Sequence, residues 1–119
     1  MARNLPMSSA PRRELPGRRA SMTLAFKHET DGGQEFGYRA TLGYYADGML
    51  GEIFLNADKH QSMLDAGAAD AAIVVSLAIQ HGTPIDKLTR AMNRYPNGAP
   101  ASPLGAVLDI IEREGLAAI

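Results

Sequence analysis

From Ser21 to about Asn56 apolar and polar positions alternate, and beyond that the repeat lengthens to three and four residues. Met22, Leu24 and Phe26 are separated by Thr23, Ala25 and Lys27, the two-residue spacing of a half-buried strand. Asp31-Gly32-Gly33 supplies residues that tolerate a turn. Phe36, Tyr38, Ala40, Leu42 and Tyr44 then share one face of a second strand over residues 35–46. Asp47-Gly48 predicts a two-residue hairpin turn, because the pair accepts positive φ at both positions. A third strand over residues 49–56 directs Leu50, Ile53 and Leu55 inward, with a bulge expected at Gly51. Three strands joined by short turns form an antiparallel meander whose apolar face needs a cover.

Residues 62–82 offer that cover. Leu64, Ala68, Ala71, Ala72, Val75, Ala78 and Ile79 recur at helical steps, and Ile73, Val74 and Leu77 fill much of the remaining surface. A helix apolar nearly all round is expected to be buried nearly all round. Asp65 and Asp70 cut the apolar run below the roughly 20 residues that a bilayer span requires, so no membrane association is expected. Gly82 ends this helix. Thr83 as cap, Pro84 at the first helical position and Asp86 open a second, which runs to about residue 93 and turns Ile85, Leu88 and Met92 inward. After a Pro- and Gly-containing loop over 95–100, Ser102 and Pro103 repeat the signal. A third helix then buries Leu104, Val107, Leu108 and Ile111, and Gly115 closes it. The fold class is α+β: a three-stranded antiparallel β-meander followed by three helices, with a central buried helix packed on the sheet.

Residues 1–20 break both periods. They hold Pro6, Pro11, Pro16 and Gly17, and are expected to form a basic, largely disordered arm that becomes ordered near residues 15–19. Residues 21–119 form a single domain, the size that one modest core supports. The net charge of −1 hides an asymmetry: the arm carries Arg3, Arg12, Arg13, Arg18 and Arg19 against Glu14, and the domain is acidic. A basic arm on an acidic body suits a nucleic acid, an acidic partner or the body itself. The chain has no cysteine, which excludes disulfides, thiolate metal sites and thiol redox chemistry within it. The start of the chain lacks the apolar run of a secretory signal, so a cytoplasmic location is expected.

Candidate chemistry is sparse. His28, His60 and His81 show no metal-binding spacing, and neither a metal, a cofactor nor a catalytic residue is expected in this chain. Glu52 of the third strand, with Lys59, His60 and Ser62 before the central helix, is the first candidate binding group, suited to an anion or to proton transfer. Arg94 and Ser102 flank a loop that leads into a helix N-terminus, a second anion-binding candidate. Arg12, Arg13, Arg18 and Arg19 are candidates for nucleic-acid or partner contact, with Tyr38, Tyr44 and Tyr45 as stacking platforms on the sheet. An alanine-rich helix and an exposed edge strand also suit a structural homodimer.

Three stretches carry a resemblance. Residues 45–54 (YADGMLGEIF), Lys59-His60-Gln61-Ser62 and residues 75–84 (VSLAIQHGTP) are similar, in this order, to the TSCPD domain. With Leu15-Pro16-x-Arg18-Arg19 and residues 101–105 (ASPLG) included, the resemblance covers about residues 12–112. That domain ends vitamin B12-dependent ribonucleoside-diphosphate reductases and also occurs as small stand-alone proteins. The resemblance implies a link to deoxyribonucleotide synthesis, with a reductase catalytic subunit as partner. The Thr-Ser-Cys-Pro-Asp motif that names the family is absent here, so no metal or redox role tied to its cysteine carries over. An accessory binding or assembly module is the expected function. The alternatives are a nucleotide- or nucleic-acid-binding module that uses the arm, and the homodimer.

Overall fold

The computed structural model describes residues 11–58 and 63–119. Strands β1 (Ser21–Glu29), β2 (Glu35–Tyr44) and β3 (Leu50–Ala57) form an antiparallel sheet in the order β1-β2-β3. Helices α1 (Met63–Gln80), α2 (Ile85–Ala91) and α3 (Pro103–Arg113) follow, so the α+β meander-then-helices architecture holds. Register places Met22 opposite Leu42 opposite Ile53, and Leu24 opposite Ala40 opposite Leu55, giving one continuous apolar face. Tyr38, Leu42, Tyr44, Ile53 and Leu55 are fully buried there, against Leu104, Val107, Leu108 and Ile111 of α3. The opposite face carries Thr23 and Thr41, whose hydroxyls lie 3.2 Å apart, and the half-exposed ring of Phe54.

Gly43 faces Glu52 while Tyr44 faces Leu50, so Gly51 is the extra residue of a bulge, as its place in the alternation predicts. The Asp47-Gly48 turn differs from expectation. The Tyr45 N–H donates to Met49 O at 2.8 Å, and the Gly48 N–H donates to Tyr45 O at 2.9 Å. This closes a three-residue loop, Ala46 to Gly48, in which only the last position needs positive φ. The same pair of hydrogen bonds recurs at Thr30–Gln34 and Tyr95–Ala99, with Gly33 and Gly98 in the equivalent place. A Cβ at Gly98 would meet open space, so Gly98→Ala tests the dihedral alone. It is expected to lower stability by about 1 kcal/mol in urea denaturation, and Gly98→Asn by less.

Ser102 caps α3 as predicted: its hydroxyl accepts from the Gly105 N–H at 3.1 Å, with Pro103 next. At α2 the cap position is Pro84, not Thr83, and no side chain caps that helix.

Burial of α1 corrects the sequence reading. The helix packs along β3, but Ala68, Ala72, Val75, Ser76 and Gln80 are its only buried residues among those described. Ile73, Val74 and Leu77 face outward, 51, 67 and 42% exposed. Three polar side chains face inward. Ser76 Oγ accepts from the Ile53 N–H at 2.8 Å and donates to Ile53 O at 3.0 Å. Gln80 Nε2 donates to Gly51 O at 3.0 Å, and Asp65 Oδ1 accepts from the Ala57 N–H at 2.9 Å. The helix thus takes the place of a fourth strand and covers the edge of β3. Spacing explains the fit: four helical residues advance about 6 Å, close to the advance of two strand residues. Ser76 and Gln80 can therefore serve Ile53 and Gly51 in step.

Candidate functional site

Segment 11–20 runs across the end of the sheet where β3 meets the last turn of α1. It has no helix or strand of its own, yet backbone and side-chain contacts fix it to the body. The Arg13 N–H donates to Gln80 O at 2.8 Å, and Arg12 Nε donates to Gln80 Oε1 at 2.6 Å. Gln80 thus grips the segment with one end of its amide and β3 with the other. Tyr45 Oη donates to Arg13 O at 2.5 Å, and the Arg13 guanidinium lies 3.8 Å from the Tyr45 ring centroid while pairing with Asp47 at 3.0 Å. Leu15 packs on Gly51 so closely that a Cβ there would lie 2.7 Å from both Leu15 Cδ2 and the Tyr45 ring. Arg19 holds Glu52 through Nε at 2.6 Å and Nη2 at 3.3 Å, and its Nη1 donates to Pro16 O.

Burial raises the Tyr45 phenol above its ordinary pKa against the opposing pull of Arg13 and Arg12, and burial likewise raises Tyr38 and Tyr44. The Asp47 carboxyl lies below the usual range, first because the Met49 N–H bonds to it and then because of Arg13.

Two hollows open on either side of this crossing. One, of about 700 Å³, lies between Arg13, Tyr45 and the junction of α1 with α2, with Ile79, His81, Asp86 and Glu112 in its wall. The other, of about 470 Å³, is bordered by Arg18, Arg19, Tyr44, Asp47 and Ile119.

Of the residues singled out from sequence, Glu52, Arg12, Arg13, Arg18 and Arg19 gather here. Arg12, Arg13 and Arg19 are bound to the body, and Arg18 is exposed. Among the described residues, side-chain contacts between this segment and the body begin at Arg12. Lys59, His60 and Ser62 lie outside the described residues. Arg94 and Ser102 do not join this group. Arg94 forms a two-pronged pair with Asp109 at 2.9 and 2.7 Å and donates to Gly98 O at 3.1 Å, and Ser102 is occupied as the α3 cap. The Arg94 pair holds the Asp109 carboxyl below its usual range. Tyr38, Tyr44 and Tyr45 are buried and offer no stacking face, whereas Phe54 is the exposed sheet aromatic. Tyr45, singled out as a stacking platform, instead donates its hydroxyl to Arg13 O, and Gln80 was missed as a site residue, although a lone glutamine ending an apolar helix is a signal of a buried polar contact. Among the described residues, no group of three or more His, Asp or Glu side chains is placed to share a metal ion.

No family model matches the chain, and no solved structure does. A vitamin B12-dependent ribonucleotide reductase of Bradyrhizobium diazoefficiens is 32% identical over 112 residues, which is 87% of this chain and 8% of that protein. The protein of the same name in Agrobacterium fabrum is 34% identical over 83 residues, 70% of this chain and 6% of its own length. That of Streptantibioticus cattleyicolor is 43% identical over 76 residues, 63% of this chain and 12% of its own length. The chain is therefore similar to one short part of vitamin B12-dependent ribonucleotide reductases, and it spans 6 to 12% of the length of these curated relatives.

Proposed function

We propose that this protein is a TSCPD-like accessory module that binds the catalytic chain of a ribonucleotide reductase and aids its assembly in cytoplasmic deoxyribonucleotide synthesis, without a cofactor or reducing chemistry of its own. The observation that carries this reading is the match itself: most of this chain aligns with a small fraction of a much longer reductase. A segment without any cysteine cannot pass electrons through thiols, which favours binding as its contribution. The engaged arginines support a strap within the fold in preference to a free arm that searches for nucleic acid.

The test mixes the purified protein with a vitamin B12-dependent ribonucleotide reductase catalytic chain. Co-elution on size exclusion and a changed rate of ribonucleotide reduction are expected, with no reduction by the small protein alone. Unaided reduction would refute the non-catalytic reading, and absence of any association would refute the partner.

A further inference from the structure

The outward face of α1 is built from Met63, Ala66, Gly67, Asp70, Ile73, Val74 and Leu77, at steps of three and four residues. Met63 is 92% exposed, and Ile73, Val74 and Leu77 continue the stripe. The fold does not require this face, because α1 holds to β3 through its opposite side. A contiguous exposed apolar stripe marks an interaction surface. Its charge pattern narrows the occupant. The stripe carries no cation and the last turn of α1 has no basic residue, so neither an anionic membrane nor a nucleic acid finds a counter-charge. Asp70 stands at the middle of the stretch from Met63 to Leu77. A two-fold pairing of copies centred there, parallel or antiparallel, would press the two Asp70 carboxylates together between apolar side chains. A different protein that offers a lysine or arginine opposite Asp70 meets no such opposition. In the matched relatives most of the chain lies outside the aligned segment and is available as such a neighbour.

We infer that the outward face of α1 is the docking surface for the reductase body, which meets it with apolar side chains and one cation opposite Asp70. This rests on the function proposed above. The test measures affinity for a vitamin B12-dependent ribonucleotide reductase catalytic chain by titration calorimetry, using the wild type, the double variant Val74→Glu/Leu77→Glu and the milder variant Asp70→Lys. Circular dichroism melts check that each remains folded. Loss of at least ~30-fold in affinity for the double variant and ~10-fold for Asp70→Lys is the expected result. Wild-type affinity in the folded Asp70→Lys and double variants would overturn the docking surface and leave the proposed function standing. No binding by the wild type would overturn the proposed function and this surface with it. Concentration-dependent dimerisation abolished by the same variants would overturn the inference by assigning the face to a second copy.

Discussion

Ser76→Ala is expected to destabilise the fold by about 2–4 kcal/mol, far more than the loss of one oxygen atom suggests. The Ser76 hydroxyl accepts from the Ile53 N–H and donates to the Ile53 carbonyl, and Ile53 is fully buried. Alanine leaves both backbone groups without a partner. Each buried orphan costs about 1–3 kcal/mol, and the small space left by the hydroxyl offers a water little room to replace it. Urea denaturation should show a lowered midpoint. A change below about 0.5 kcal/mol would mean that the edge of β3 finds other partners. Ser76→Thr retains the hydroxyl and should recover part of the loss, limited by the space its extra methyl needs.

Arg19→Met is expected to cost about 2–3 kcal/mol. Glu52 is buried, with a side chain only 10% exposed, and Arg19 is the cation that holds it with two nitrogens. Removing one partner of a buried pair leaves the other charge stranded, at about 3–5 kcal/mol when both are enclosed. The Arg19 side chain is 28% exposed, so the smaller figure applies. Glu52→Gln added to Arg19→Met should regain stability, because it removes the stranded charge. A double-mutant cycle in which the two changes simply add would refute this coupling. Glu52 thus acts first as the anchor of segment 11–20, and a ligand that sought its carboxylate would have to displace Arg19.

Strands and loops were readable because their signals are local. The alternation from Met22 to Phe26, the glycines at the loop ends and the Ser102-Pro103 pair each fix backbone within a few residues. Helix α1 was readable as a helix but not in its orientation. The apolar pattern assumes that apolar side chains turn inward. In α1 the inward positions include Asp65, Ser76 and Gln80, because the neighbour is a strand edge that presents peptide groups. Polar side chains answer those groups, and Ile73, Val74 and Leu77 are left outside. Segment 11–20 was legible only in part for a related reason. Its contacts join single side chains to remote backbone, such as Arg13 O with Tyr45, and no repeat along the sequence encodes them. Of the site residues, Glu52 and the arginines were found by type, whereas Gln80 acquires its role only when the ends of β3 and α1 meet.

Because a helix occupies the rim of β3, the sheet formed by the described residues has its open border alongside β1. Two molecules joined β1 to β1 would form a six-stranded sheet with α1 closing each outer border. Such a union leaves none of the described strand edges open to a third molecule, so edge-to-edge pairing of these strands ends at a pair.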